Sequence, residues 1–250
     1  MAQLQTLSKA LDILNLLGRS DDPLSVEEIA GRMELPESTT YRLLQTLETK
    51  DFIKRYSRKK IGLGSNFINL ARNLHDTMER DLILIAAPYM EQVRDETEES
   101  VILSVRAGLE SRCISSISSR HIIRFVAEAN RILHLDVGAS SRVILAHEDE
   151  RVIERIRMEK KTEEERIRLN RDLERIRENG YDITESQHDI GSVGIGVPVF
   201  NTYGKIYASL AVVAPDTRVK RDRYPECVAV LKEAAGQISA QLAKAETEDV

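Results

Sequence analysis

Hydrophobic positions spaced three and four residues apart predict two short helices between Leu24 and Leu63. The first begins at Ser25, because Ser25 and Glu28 have the spacing of a capping box, in which each side chain satisfies a backbone N–H group. The second begins at Pro36, whose missing N–H costs nothing in a first helical turn. About three residues separate the two helices, and this spacing is typical of a helix-turn-helix.

Two alternating segments follow the second helix and predict a hairpin. Residues 52–56 and 60–63 alternate apolar and polar side chains on either side of a basic turn, residues 57–59. An earlier amphipathic helix closes a three-helix core through Leu7, Ala10, Leu11, Leu14 and Leu17. The sequence therefore predicts a winged helix-turn-helix over residues 1–64.

Charge and side-chain chemistry in this region favour DNA as the partner. The whole chain has a net charge of −5, which argues against a general polyanion binder, but residues 38–60 contain seven basic and two acidic residues. Hydroxyl, amide and guanidinium groups point away from the apolar stripe of the second helix, where they can bond to phosphates and base edges. The predicted DNA-binding residues are Ser38, Thr39, Tyr41, Arg42, Gln45, Lys54, Arg55, Arg58, Lys59 and Lys60.

The rest of the chain mixes helical and strand patterns. Residues 65–81 keep a helical apolar stripe with no Gly/Pro cluster after Gly64, which predicts a linker helix. Helices bracketing an antiparallel sheet predict an α+β domain over residues 82–250. The expected helices cover residues 86–98, 140–146, 148–158, 162–179 and 221–244. The expected strands cover residues 100–106, 112–117, 122–127, 181–185, 194–200 and 205–214.

Five segments of the chain match a known pattern in order. They are Leu7–Leu14, Leu35–Glu48, Val143–Ala146, Gly180–Asp182 and Gly191–Pro215. In these segments the chain resembles bacterial transcriptional regulators of the IclR type. The resemblance implies a sequence-specific DNA-binding regulator with a GAF/PAS-like effector domain that binds a small organic acid. It favours a repressor over an activator. It also implies control of a catabolic operon by a cytoplasmic homodimer, or a tetramer, that binds a double-stranded operator.

The same resemblance indicates where the effector binds. In the resembled family the effector lies between a small-residue loop and the late strands, and the loop in this chain is Asp136–Arg142. Backbone N–H groups at the start of the following helix can bind a carboxylate. The expected effector-binding residues are Val137, Gly138, Ala139, Ser140, Arg142, Asp182, Thr184, Ser192 and Gly194.

Some positions depart from the family pattern. Asp136 stands where a His is usual, and Ser141-Arg142 stands where a Gly-Lys pair is usual. Asp136 would repel an anion unless a cation or proton intervenes, and Arg142 could compensate if it points inward. Gly194 replaces a Cys found in some members, and with Gly196 it favours a bulkier or aromatic acid. Asp51 replaces a Gly at a helix end, where Asp tolerates the left-handed conformation.

The chain lacks the motifs of an enzyme or a metalloprotein, so no catalysis, cofactor or metal is expected. Its five histidines have no zinc-site spacing, and Gly191–Gly196 lacks the Gly-Lys-Ser/Thr ending of a phosphate loop. Two cysteines make no disulfide framework, and neither a membrane span nor a signal peptide is expected. Two alternatives stay open. One is an architectural DNA binder without an effector, and the other is a metabolite-binding or catalytic protein with a vestigial DNA-binding domain.

Overall fold

The computed structural model describes residues 5–20, 22–57, 59–126 and 130–248, without the side chains of residues 74–76 and 246–248. The chain forms two compact units, Met1–Met78 and Glu79–Val250. One long helix begins in the first unit and ends in the second. Over the described residues no helix is both long and apolar enough to cross a membrane.

The first unit is the predicted winged helix-turn-helix. Its elements are α1 (Gln5–Arg19), α2 (Val26–Arg32), α3 (Glu37–Thr49), β1 (Ile53–Arg55) and β2 (Ile61–Leu63). The two strands pair in an antiparallel hairpin, with Lys54 opposite Gly62. Leu24 forms an additional antiparallel bridge to Ile61, so the segment before α2 lies against the wing.

Two local features that predicted these elements, the capping box and the turn after α3, are present in the structure. In α2 the Ser25 hydroxyl accepts from the Glu28 N–H at 3.2 Å, and the Glu28 carboxylate accepts from the Ser25 N–H at 2.5 Å. After α3, Asp51 adopts a φ of 56°, the left-handed conformation expected of it. The start of α2 and the turn after α3 are therefore fixed by residues close to them in sequence.

Helix α1 differs from its predicted packing. Ile13 and Leu17 are its buried apolar residues, whereas Leu7 and Leu11 are 57% and 51% exposed. The buried side of the helix is centred on positions 13 and 17, and at 3.6 residues per turn positions 7 and 11 lie roughly 100° and 140° away from that centre. Two leucines expected in the core are thus on the surface of the unit.

A single helix, α4 (Asn66–Thr97), replaces the predicted linker helix and the separate helix after it. Pro88 lies inside α4, where it removes one backbone hydrogen bond. Apolar side chains on the second part of α4 are buried against the sheet of the second unit, and this packing offsets the lost bond. These side chains are Leu82, Ala86, Met90 and Val93.

The second unit is built on a six-stranded antiparallel sheet in the order β5-β4-β3-β8-β7-β6. Its strands are β3 (Ser100–Ala107), β4 (Glu110–Ile117), β5 (Ile132–His134), β6 (Asp182–Glu185), β7 (Ser192–Phe200) and β8 (Ile206–Pro215). Its further helices are α5 (Ala139–Ala146), α6 (Glu150–Met158), α7 (Glu163–Asn179) and α8 (Tyr224–Glu248). The predicted α+β architecture is confirmed.

The two faces of this sheet are covered differently because successive side chains of a strand point to opposite sides. On one face, alternate residues of β7 such as Val193 and Ile195 join a core with α4 and α8. On the other face, Gly196 lies against the start of α5, where an added Cβ would come within 3.0 Å of the Ala139 backbone. Helices α6 and α7 form a separate small core with α5.

The predicted strand at residues 122–127 is wrong. Residues 122–126 form no strand, Ile122 is 96% exposed, and Ala127 lies outside the described residues. The edge of β4 is instead occupied by β5, which pairs Glu110 with His134 and Arg112 with Ile132. The alternation near residue 122 therefore does not reflect sheet pairing.

Candidate DNA-binding surface and effector cavity

Helix α3 exposes the side chains that were predicted to contact DNA. Ser38, Tyr41, Arg42 and Gln45 are exposed, and Thr39 is half-buried. The opposite side of α3 is buried through Thr40, Leu43, Leu44 and Leu47. Since a recognition helix reads base edges with its outward side chains, this face of α3 can enter a major groove.

The basic residues of the wing differ in how they are paired. The Arg55 Nε donates to both Glu48 carboxylate oxygens at 3.1 Å, and Lys60 lies 3.0 Å from a Glu28 oxygen. Bonding to the Ser25 backbone and to Lys60 lowers the pKa of Glu28 below its ordinary value. Lys54 and Lys59 are exposed, and Arg58 lies outside the described residues. On binding DNA, Arg55 and Lys60 would exchange a carboxylate partner for a phosphate partner, which reduces their net contribution to the free energy of DNA binding.

A cavity lies in the second unit, between the α5 face of the sheet and the turns around it. Its volume is about 70 Å³, which is room for a small organic molecule. It is lined by Ile102, Ser104, Ser111, Cys113, Phe125, Arg131, Leu133, Gly138, Ala139, Ser140, Ser141, Thr184, Gln187, His188, Asp189, Ser192, Gly194, Ala211 and Val213.

The donors at the start of α5 are bonded to side chains from the neighbouring hairpin. The Gly138 N–H donates to the Gln187 amide oxygen at 3.0 Å, and the Ala139 N–H donates to the Thr184 hydroxyl at 3.1 Å. The Ser140 hydroxyl lies 2.7 Å from the Ser209 hydroxyl. These N–H groups are the ones that a carboxylate would use at a helix start, so a bound acid would replace part of this bonding.

Six of the nine predicted effector-binding residues line this cavity. They are Gly138, Ala139, Ser140, Thr184, Ser192 and Gly194. Val137, Arg142 and Asp182 do not line it. Arg142 points from α5 toward α7, with its guanidinium 2.9 Å from Asp182 and 3.0 Å from Asp172. Arg142 therefore cannot compensate an anion in the cavity without leaving this buried ion pair.

The acidic residues near the small-residue loop, Asp136 and Asp182, also pair with basic side chains and do not line the cavity. Burial raises the pKa of Asp182 above its ordinary value, against the opposing effect of Arg142 and Arg175. Asp136 is not among the cavity-lining residues and bonds to His134 and Lys160. Although burial acts in the opposite direction, these bonds lower the pKa of Asp136. The predicted repulsion between Asp136 and an anionic effector is thus removed by its position and its partners.

Profiles of known families match both units. The profile described as "IclR helix-turn-helix domain" matches residues 6–56, and that described as "Bacterial transcriptional regulator IclR C-terminal" matches residues 75–240. The chain belongs to the IclR family. It is therefore a DNA-binding transcriptional regulator with an effector domain, by the common character of that family.

Individual members of the IclR family align with nearly all of the chain. The "HTH-type transcriptional repressor AllR" of Salmonella typhi is 28% identical over 248 residues, covering 95% of this chain and 90% of the relative. Its Escherichia coli K12 counterpart is 27% identical with the same coverage. The crystal structure of the Thermotoga maritima IclR has a TM-score of 0.60 and 27% identity, covering 96% of this chain and 99% of that chain.

Two further IclR-family structures share the fold at lower identity. A regulator from Rhodococcus sp. has a TM-score of 0.66 and 23% identity, covering 96% of this chain and 94% of that one. A homologue from Microbacterium hydrocarbonoxydans, solved in complex with 4-hydroxybenzoate, has a TM-score of 0.60 and 24% identity. That comparison covers 95% of this chain and 98% of the homologue.

Sequence reasoning missed the charged pair inside the cavity of this IclR-family chain. The Arg131 Nη2 donates to both carboxylate oxygens of Asp189, at 3.0 and 2.9 Å. Both residues lie outside the helices and strands, where no periodic pattern marks them, and they are far apart in sequence. Cys113 also lines the cavity, and burial raises the pKa of its thiol, so that the thiol stays protonated at neutral pH. Among the described residues no group of three His, Cys, Asp or Glu side chains could bind a metal ion.

Proposed function

We propose that this protein is a cytoplasmic transcriptional repressor whose operator affinity is changed by a small organic acid bound in the cavity. One observation carries the proposal: the chain combines an exposed basic winged helix with a separate cavity lined by apolar side chains and a few polar and charged ones. The names of the AllR relatives favour repression over activation. In this proposal residues 1–64 bind DNA, residues 65–81 link, and residues 82–250 bind the effector and oligomerise. Control of a catabolic operon is part of the same proposal.

On DNA, α3 would lie in a major groove and the wing along the backbone. Arg42 and Gln45 are exposed on α3 and have the groups that bond best to guanine and adenine edges. Lys54 and Lys59 on the wing would contact phosphates, which position the protein without reading sequence. Ser38, Thr39, Tyr41, Arg55, Arg58 and Lys60 would complete the contact surface.

A homodimer is the proposed DNA-binding form. Leu7 and Leu11 on α1 and Ile68 and Leu70 on α4 are each at least 50% exposed in the single chain. Apolar side chains repeated on two helices of the same small unit suit a contact with a second copy. A twofold axis through that contact would match an operator with two related half-sites.

The effector would act by favouring one of two arrangements of the dimer. Binding in the cavity would change how the linker part of α4 presents the two recognition helices. A coupling free energy of about 1 to 3 kcal/mol corresponds to an operator affinity that changes roughly 5- to 150-fold. Because another family member binds 4-hydroxybenzoate, a monocarboxylic acid of that size is a suitable probe.

A gel-shift titration tests the proposal. The full-length protein is titrated onto DNA from upstream of its own gene and onto a scrambled duplex, over a salt series, with and without a panel of carboxylic acids. We expect specific binding that weakens steeply with salt and that at least one acid alters. Equal affinity for both duplexes with no acid effect would indicate an architectural DNA binder. Acid binding without DNA binding would indicate a metabolite-binding or catalytic protein.

A further inference from the structure

We infer that Arg131 recognises the anionic group of the effector, and that Asp189 competes with that group for Arg131. The inference rests on the proposed acid-responsive function and names the residue that would confer its specificity. Arg131 and Asp189 both line the cavity, and they form an ion pair at 2.9 Å.

Arg131 is fixed in a position suited to bind a carboxylate. Its backbone carbonyl accepts from the Cys113 N–H at 3.0 Å, which attaches it to the edge of β4. Its guanidinium lies over the Phe125 ring, 5.4 Å from the centroid, and this contact orients the guanidinium plane. Both bonds to Asp189 use Nη2, so that Nε and Nη1 have no hydrogen-bond acceptor within the described parts of the chain.

The charge of the cavity points to the same residue. Of the described side chains that line it, Arg131 is the one permanently cationic group, and Asp189 is the matching carboxylate. The other candidate, Arg142, forms ion pairs with Asp172 and Asp182 outside the cavity. If an acid entered without displacing Asp189, two negative charges would lie beside Arg131, the one permanent cation among the described side chains that line the cavity. That arrangement is unfavourable.

The hairpin turn between β6 and β7, residues 186–191, supplies two acceptors that mimic an anion. Asp189 bonds to Arg131, and the Gln187 amide oxygen bonds to the Gly138 N–H at the start of α5. The turn is held at its ends, because the Ser186 N–H donates to the Ser192 carbonyl at 2.7 Å. One short segment therefore occupies both kinds of donor that a carboxylate ligand needs.

Two consequences follow for ligand choice. A carboxylate can replace Asp189 at Arg131, whereas a neutral analogue of the same shape cannot match the lost ion pair. Removing the competing charge at Asp189 should therefore strengthen binding of acids, and removing Arg131 should weaken it. Bonds to charged partners support a loss of about tenfold or more in affinity for Arg131→Gln.

Calorimetry on the full-length protein tests the inference. The probes are acetate, benzoate and 4-hydroxybenzoate, each beside its amide. Arg131→Gln is compared with Arg124→Gln, because Arg124 is exposed on the same segment and does not line the cavity. Asp189→Asn is compared with Asp149→Asn, an exposed acid at the start of α6. Thermal melting of each variant reports whether the fold is intact.

We expect an acid, but not its amide, to bind the wild type. The same acid should bind Arg131→Gln at least about tenfold more weakly than it binds the wild type, and Asp189→Asn more tightly. The gain in Asp189→Asn cannot arise from misfolding. Equal affinity in Arg131→Gln and Arg124→Gln, or no acid binding to either the wild type or Asp189→Asn, overturns the inference. If acid binding depends on Arg131 while operator affinity ignores the acid, the proposed function fails and the anion site stands. If an acid changes operator affinity equally in the wild type and in Arg131→Gln, the proposed function stands and the anion site at Arg131 fails.

Discussion

The two units of this protein use charged side chains in opposite ways. In the first unit, residues such as Arg42 and Lys59 extend into solvent from α3 and the wing. In the second unit, several basic side chains are bonded to acids that are wholly or partly buried, as Arg218 is to the fully buried Glu99. Exposed charges such as Arg42 and Lys59 are therefore expected to contribute to recognition, and pairs with a buried member such as Arg218–Glu99 to stability. Removing single charges in each unit tests this comparison directly.

The largest effect is expected for Arg218→Met. Arg218 donates to both oxygens of Glu99, and its loss would leave a buried carboxylate without its cation. Breaking such a pair costs about 3 to 5 kcal/mol of unfolding free energy. Arg221→Met is the matched control, because Arg221 is 82% exposed and its pair with Glu185 is screened by solvent, so that its loss should change the unfolding free energy little. Denaturant unfolding that gave equal losses for the two variants would contradict the comparison.

A smaller loss, with a defined pH dependence, is expected for Asp136→Asn. Asp136 bonds to Lys160 and His134 while ionised, and the loss should be about 1.5 to 3 kcal/mol at neutral pH. Its pKa is lowered in the folded protein, so its stabilising effect is present above its ordinary value of 3.8 and is lost as the pH falls through the lower folded value. Unfolding measured against pH should show the wild type and the variant converging in acid. Curves that stay parallel would assign the loss to packing instead.

In the first unit, Arg42→Ala should weaken operator binding by about 1 to 3 kcal/mol without lowering stability by more than about 0.5 kcal/mol. Arg42 is exposed on α3, and a base contact is lost only on the specific site. Fluorescence anisotropy on operator and scrambled duplexes measures the difference. An unchanged operator affinity and footprint would show that this face of α3 does not read the sequence.

The smallest effect is expected for Lys59→Ala. Lys59 is exposed on the wing, and a phosphate contact contributes to binding of any duplex. Affinity for operator and scrambled DNA should fall by similar factors, and the slope of log affinity against log salt should fall by about 1. A loss confined to the operator would instead place Lys59 at a base edge.

The same contrast explains what the sequence could predict. In the first unit the capping box at Ser25, the turn at Asp51 and the outward face of α3 depend on neighbours a few residues away, so local patterns were sufficient. In the second unit most strands and helices follow their patterns, but the cavity joins distant segments. Arg131 and Asp189 meet across 58 positions, and no spacing rule marks such a pair.

Two errors have related physical causes. The segment at residues 122–126 has a strand-like composition, but β5 occupies the strand edge available to it. Arg142 was predicted to face the effector because it follows the small-residue loop, but its position on α5 turns it toward Asp172. In both cases the outcome depends on which partner the fold supplies. One amino-acid sequence contains little information about which partner a segment or side chain will meet in the fold.

The lengths of the strands have a consequence for how copies of the protein meet. The outermost strands, β5 and β6, have three and four residues, whereas the four inner strands have eight to ten. An edge offers unpaired backbone groups to any extended chain that comes alongside, and a short edge offers few of them. We therefore expect the sheet to resist growth by addition of foreign strands in a crowded cell. The same two short strands leave room at their ends for the turns that surround the cavity.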